Sequence, residues 1–325
     1  VYNFDFTRKE QANSKLDPQV VKRVLICRPN HRLGNQLLIS PLIQEVADTF
    51  PKAKIDLFLK GGLGPILFES YPMINELILL PKNHFKNFGS YITSWIKLKN
   101  KKYDLIINAK AGSSSGRLSA SLPKTNFRIL ADELPITSIK DQLHFGKESI
   151  YQFRDFLKVS EINREHLPIP LLDIKLTPSE IKKGKELVSQ ITKSNKPSIG
   201  IYTFATAQKC YETEEWLAFY EQLKSDYASE YNIVEILPIE NISKINFSAP
   251  HVYSKNLREL AAMMHATELF ISGDCGMMHL GSAAQTTVLG LFKFDNMPRY
   301  QPYGNNSLGI HSEDLKEDDL RTTIN

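Results

Sequence analysis

Residues 272–284 read SGDCGMMHLGSAA. A short apolar run at 268–271 leads into them, and TVLGL at 287–291 follows. The pattern is a buried strand, a turn through Gly273, Asp274 and Cys275, a helix restarting at Gly276, and the next strand. The first turn of such a helix has backbone N–H groups without intrahelical partners. With the helix dipole they form an anion site suited to a phosphate or diphosphate. The glycines let the backbone approach a ligand closely. An ordinary strand–turn–helix with Asp274 as N-cap fits the same letters.

Outward from this stretch, short apolar runs alternate with amphipathic ones, the pattern of a parallel sheet with crossover helices. In the first half the expected strands are 23–27, 54–59, 76–79, 103–108 and 126–129. The clearest helix is 35–50, where Leu38, Leu42 and Val46 recur with Ile39 and Ile43 beside them. Pro41 falls within its first two turns and is expected to kink it or to sit where the lost hydrogen bond is tolerated. A break follows at 161–177, with prolines at 168 and 170. Pro178 then opens a helix over 179–193. Strands at 198–202, 231–236, 268–271 and 287–291 and helices at 256–265 and 275–284 complete a second half. The expectation is an α/β protein with two Rossmann-like domains and mostly parallel sheets. The first domain would be 1–165 and the second 178–325, joined by a linker at 166–177. Ligands would bind in the crevice at the strands' carboxyl ends.

A chain of 325 residues exceeds one compact core, which agrees with two domains. Hydrophobic residues make up 42% and charged residues 23%, as in ordinary globular proteins. The net charge of +4 permits an anionic ligand or an anionic membrane surface and demonstrates neither. Basic pairs such as Lys101–Lys102 and Lys182–Lys183 read as solvated faces, and no aromatic-interleaved basic patch argues for nucleic acid. The three cysteines, Cys27, Cys210 and Cys275, are widely separated and form no metal or disulfide framework. That usage fits a reducing compartment, so a cytoplasmic location is expected. The opening VYNFDFTRKEQANSKLD carries no apolar core of signal-peptide length, and no run of about 18 apolar residues occurs.

The 272–284 segment, with FKFDNMPRYQPYG after it, resembles the C-terminal signature of glycosyltransferase family 9, the lipopolysaccharide heptosyltransferases. That signature runs D-[ST]-G-x-x-H-[LI]-A-A, then a strand, F-G-x-[TS]-x-P and a P-[YF]-G-type close. Asp274, Gly276, His279, Leu280, Ala283, Pro298 and Tyr303–Gly304 fall in its order. Cys275 replaces the usual Ser or Thr, and Phe292–Lys293 replaces Phe-Gly. At the other end, RVLICRPNHRLGNQLLISPLIQEVADTFPKAKIDLF at 23–58 is similar to the family's opening strand, LGD loop, first helix and YPxAxIDxL. The resemblance spans roughly residues 20–310 and implies the GT-B fold, with the acceptor on the N-terminal domain and the nucleotide sugar on the C-terminal one. It also implies a C-terminal tail, here 313–320, that packs back on the first domain.

The resemblance implies a set of site residues. Thr203, Thr206 and Lys209 match a hydroxyl-rich loop followed by Lys and a Trp-containing helix; they would contact the donor phosphates, with Lys209 neutralising the departing charge. Trp216 reads as core. Cys275, Gly276 and Met277 would offer backbone N–H groups to the second phosphate. Asp274 would cap the helix or bind sugar hydroxyls, His279 would face ligand or core, and Glu240 would suit a ribose diol. No Asp-x-Asp motif is present, and Asp318–Asp319 reads as surface charge, so metal independence is expected, with no bound cofactor.

The family's LGD aspartate, its expected general base, is here Asn35. An amide accepts no proton at neutral pH but can orient a hydroxyl. Three readings remain open: another base such as His31 serves, transfer passes through a loose oxocarbenium-like state with little base demand, or the chain binds without turnover. A second loop, NAKAGSSSGR at 108–117, offers Lys110, Ser113–Ser115 and Arg117 to an anionic acceptor, or is simply a Ser-rich helix cap. The resemblance therefore implies an inverting, metal-independent transferase. It would move a heptose or similar sugar from a nucleoside-diphosphate donor, with ADP the expected base. The acceptor would be a lipopolysaccharide-core or related glycan at the cytoplasmic membrane face. The alternative is a catalytically silent nucleotide-sugar-binding protein. A Rossmann dehydrogenase is disfavoured, because residues 28–35 lack G-x-G-x-x-G.

Overall fold

A computed structural model describes residues 15–83, 85–130 and 144–314. The chain forms two compact units. The first takes residues up to His31, then Pro41–Pro65 and Tyr71–Pro170. The second takes Arg32–Ser40, Ile66–Ser70 and the chain from Leu171.

In chain order the first half gives β1 (Arg23–Arg28), α1 (Leu33–Leu37), α2 (Ser40–Thr49), β2 (Lys54–Lys60), α3 (Leu63–Phe68), β3 (Ile74–Leu80), α4 (Phe88–Lys99), β4 (Lys102–Asn108), α5 (Ser114–Ser121), β5 (Lys124–Ile129) and α6 (Phe145–Lys158). The second half gives α7 (Pro178–Thr192), β6 (Ser198–Tyr202), α8 (Thr213–Tyr227), β7 (Asn232–Ile236), β8 (His251–Val252), α9 (Leu257–His265), β9 (Leu269–Gly273), α10 (Gly276–Ala283), β10 (Thr287–Phe292), α11 (Met297–Tyr300) and β11 (Leu308–His311).

The first unit holds a five-stranded sheet in the order β3-β2-β1-β4-β5, with every pairing parallel. Buried on both faces, its three inner strands read as apolar runs such as VLIC of β1. The second holds a six-stranded sheet in the order β11-β10-β9-β6-β7-β8, again all parallel. Both are doubly wound, and the strand order reverses between β1 and β4 in one and between β6 and β9 in the other. Ile199, Ile201, Trp216, Tyr220, Leu223 and Ile271 belong to one core cluster of the second unit. Trp216 meets Tyr211 edge-on at 6.0 Å, so it is core.

The single helix expected over 35–50 is two helices, α1 and α2, separated at residues 38–39. Pro41 has no N–H to donate and its ring crowds the preceding turn, so the chain restarts at Ser40 and seats the proline where the missing donor costs nothing. Ser40 Oγ then accepts the Asp173 N–H at 3.1 Å. Farther on, Thr177 caps α7 in a full capping box with Glu180 and places Pro178 at the helix start.

Arg258 of α9 ties remote pieces of the second unit together. Its guanidinium donates to both Glu180 carboxylate oxygens at 2.5 and 2.8 Å. It also donates to the carbonyls of Ile66, Ile174 and Lys175 and to Ser70 Oγ, at 3.0–3.3 Å. That pairing holds the Glu180 carboxyl near a pKa of about 2. The tail expected at 313–320 lies, from residue 315 on, outside the described residues, as does Asp318–Asp319.

Candidate active site

The loops after β6 and β9 leave the sheet of the second unit side by side, at its strand-order reversal. Tyr202 at the end of β6 pairs in register with Ser272 of β9. That is where doubly wound sheets open a crevice for ligands. Residues 203–209 follow β6 and end in a short 3-10 turn, Ala207–Lys209. Asp274 and Cys275 follow β9 and lead into α10.

The N-cap of α10 is Cys275, not Asp274, and its side chain makes no cap hydrogen bond. Burial pushes the Cys275 thiol up, outweighing the pull of the Ser272 hydroxyl and the Met278 and Met277 amides. A neutral thiol thus stands where a cap oxygen is usual.

Asp274 turns sideways instead. Its Oδ2 lies 2.5 Å from Lys209 Nζ and accepts from Asn296 Nδ2 at 2.5 Å. The Asp274 side chain is 8% exposed and that of Lys209 38%. The pair therefore buries its anion and leaves its cation at the surface of the loop, 5.2 Å from the Tyr300 ring centroid. Packed against the same ring, at 6.2 Å, is buried His279. Burial drives the His279 pKa down to about 4, with Lys209 adding to the fall and Asp274 opposing it. His279 is a neutral, packed imidazole.

The other neighbour of that imidazole is the LGN loop. A Cβ at Gly34 would stand 2.6 Å from His279 Cδ2, and a Cβ at Gly276 would stand 3.1 Å from Leu33 Cβ. Glycines at 34 and 276 let α1 and α10 approach at backbone distance. Asn35 follows directly, half-buried.

Thr203 is buried at the start of the loop after β6. Its buried hydroxyl donates to Glu235 Oε1 at 2.7 Å and accepts the Lys244 N–H at 3.1 Å. Ser243 donates to the other Glu235 oxygen at 2.7 Å. Burial raises the Glu235 pKa against these two bonds. This hydroxyl, expected to meet a phosphate, is bonded to a buried carboxylate. Thr206 and Glu240 are exposed.

His31 and the 108–117 loop belong to the first unit. His31 is exposed, with its Cβ 3.3 Å from where a Cβ on Gly61 would stand. Lys110 pairs with Glu148 at 2.6 Å and lies 3.8 Å from the Phe145 ring centroid. Ser113 Oγ caps α5 by accepting the Gly116 N–H, as the helix-cap reading requires. Among the described residues no group of three or more His, Cys, Asp or Glu side chains is placed to hold a metal ion.

Residues 244–323 match the family model described as glycosyltransferase family 9 (heptosyltransferase). The lipopolysaccharide core heptosyltransferase OpsX of Haemophilus influenzae is 22% identical over 85% of this chain and 81% of its own length. Lipopolysaccharide heptosyltransferase 3 of Escherichia coli is 24% identical, over 87% of each. Over these residues the chain is similar to the heptosyltransferases of glycosyltransferase family 9. Among solved folds, a family 9 glycosyltransferase from Veillonella parvula is similar with a TM-score of 0.72 and 18% identity, over 95% of this chain and 90% of that one. Escherichia coli heptosyltransferase WaaC, solved with ADP, follows at 0.69 and 15%, over 93% and 98%.

The matched family 9 segment contains Asp274, Gly276 and His279 together with Asn296 and Tyr300, two partners that sequence reasoning missed. Asn296 lies in the FKFDNMP stretch already singled out, so its position was visible and its bond to Asp274 was not. Glu235 carried a clearer signal, as the one charged residue in the buried strand NIVEI.

Proposed function

We propose that this chain transfers a heptose from an ADP-linked donor to a lipopolysaccharide-core or related glycan, with inversion and without a metal ion. The donor is assigned to the second unit and the acceptor to the first. The observation that carries the reading is the meeting of Lys209 with Asp274 beside the start of α10 at the strand-order reversal, Asp274 and α10 lying inside the segment that matches the family model.

In this reading the donor diphosphate lies across the loops after β6 and β9. Gly276 and Met277 at the start of α10 turn their amides to it, with Cys275 as the cap, and Thr206 and Lys209 approach from the opposite loop. Lys209 leaves part of its hold on Asp274 to neutralise the departing diphosphate, and Asp274 is released toward sugar hydroxyls. Glu240, exposed after β7, suits the ribose diol. Thr203 acts at one remove by holding Glu235 and the 243–244 backbone. An acceptor oxygen attacks the anomeric carbon opposite the leaving diphosphate, the bond to the diphosphate oxygen breaks, and the configuration inverts. Asn35 orients the acceptor hydroxyl; the proton passes to His31 or leaves late through a loose transition state. No helix among the described residues is long and apolar enough to cross a membrane. We place the chain in the cytoplasm, in peripheral contact with the inner membrane face.

Titration calorimetry with ADP, UDP, GDP and CDP, followed by transfer assays from ADP-heptose with and without EDTA, tests the reading. Preference for ADP and EDTA-resistant transfer support it. Loss on chelation with recovery in Mg²⁺ overturns the metal-free route. Asn35 favours one second reading, a silent nucleotide-sugar binder, which predicts ADP binding with no transfer at any pH.

A further inference from the structure

Helix α4 in the first unit carries two apolar stripes. One is packed: Trp95 lies 5.1 Å from Phe58 of β2 and 6.1 Å from Tyr91, and Leu98 is fully buried. The other faces outward. Phe88, Ile92 and Ile96 recur one turn apart and are 64%, 40% and 52% exposed, and Phe85 in the turn before them is 88% exposed. A crossover helix needs one apolar stripe to cover its sheet. A second, contiguous and exposed, marks an interaction surface.

The charge around it names the partner. Residues 81–102, PKNHFKNFGSYITSWIKLKNKK, contain lysines at 82, 86, 97, 99, 101 and 102 and no Asp or Glu. Lys97 and Lys101 pair with Glu76. Lys82, Lys86, Lys99 and Lys102 are exposed and form no ion pair among the described residues. Exposed aromatic and aliphatic side chains set among unneutralised lysines match the boundary of an anionic bilayer, where rings enter the headgroup layer and lysines reach lipid phosphates. A second copy of the chain fits poorly, since docking two such faces opposes lysine to lysine. The chain also leaves β3 toward α4 at the carboxyl end of the sheet, the same end as the loops after β1 and β4.

We propose that Phe85, Phe88, Ile92 and Ile96, with Lys82, Lys86 and Lys99 around them, seat the first unit on an anionic lipid surface. The proposal deepens the reading of a lipid-linked acceptor and rests on that reading for its purpose. The lipid binding itself is measurable apart from transfer.

The test is flotation of the full chain with vesicles of phosphatidylethanolamine and phosphatidylglycerol, and with vesicles of phosphatidylcholine alone. The chain is expected to float with the anionic vesicles only, and less in high salt. The variant F88S/I92S/I96S is expected to lose about tenfold or more in partitioning. The variant K82Q/K86Q/K99Q, which alters only exposed side chains, is expected to lose the preference for anionic lipid. Circular dichroism of each variant checks that it is folded. Flotation equal on both lipids, none on either, or none of the loss in folded variants overturns the proposal. So does a concentration-dependent dimer that the same substitutions dissolve, because a second copy then covers the stripe. Flotation without ADP binding would sink the transferase reading and leave this surface standing.

Discussion

Lys209 Nζ lies 2.5 Å from Asp274 Oδ2, so the cation proposed to meet the donor diphosphate is held by a carboxylate on the neighbouring loop. The carboxylate is nearly buried and the ammonium is not, so the lysine is the partner free to swing. Lys209→Met is expected to weaken ADP binding about 10- to 100-fold, the usual worth of a charge-assisted hydrogen bond. Calorimetry at fixed salt measures it, and an unchanged affinity removes Lys209 from the phosphate site.

Gly34→Ala puts a methyl 2.6 Å from His279 Cδ2, inside van der Waals contact with a buried ring. We expect a loss of about 1–3 kcal/mol in unfolding free energy, the usual cost of overpacking. A melting temperature equal to that of the parent protein would show that α1 and α10 separate readily.

His279 supplies a pH signature. Its folded pKa, about 4, lies below the 6.5 of an unperturbed histidine. As pH falls from 6.5 toward 4, the unfolded chain takes up the proton first, so stability declines across that window. The full difference is at most about 3 kcal/mol. His279→Gln should flatten this decline relative to the parent protein. The Glu180 carboxyl, held near a pKa of about 2, loses its contribution only as pH falls through about 4.5 to 2. Identical slopes between pH 6.5 and 4.5 in denaturant titrations would show that His279 ionises normally in the folded protein.

Thr203→Val separates a positioning residue from a phosphate contact. It removes one hydrogen bond from buried Glu235 and should destabilise the fold by about 1–3 kcal/mol. ADP affinity should change by less than about threefold, within the small range expected of a group that does not touch the ligand. A large affinity loss at unchanged stability would put the hydroxyl back among the phosphate contacts.

Asn35→Asp restores a group able to take a proton at the place where the family's signature has an aspartate. If proton removal limits turnover, the variant should be faster by about tenfold or more. An unchanged rate would point to His31 or to a transition state that needs no base, and His31→Gln then decides between them.

Much of the fold is legible in the letters because parallel strands buried on both faces appear as uninterrupted apolar runs, and because Thr177-Pro178-Ser179-Glu180 spells a helix start. The two loops of the site could be placed for the same reason, each following an apolar run. What stayed hidden depends on residues far apart in the chain. Nothing near Gly34 announces an imidazole against it, and nothing near Thr203 announces Glu235. By sequence position the LGN loop belongs to the first half, yet Arg32–Ser40 packs with the second unit. The outward stripe of α4 was equally silent, since exposed and packed apolar residues are spelled alike.

The chain order of this protein is not its domain order. A fragment started at Leu171, where a cloning boundary would naturally be drawn, would lack Arg32–Ser40 and Ile66–Ser70. Arg258 would keep Glu180 and lose the Ile66 carbonyl and Ser70 hydroxyl, and the ring of His279 would be uncovered on the side where Gly34 now lies. Nucleotide binding studied on such a half-molecule would test the proposed donor site with two of its supporting segments missing. A nick at the linker in the intact chain is a different matter, because both early segments remain in place to complete the second unit.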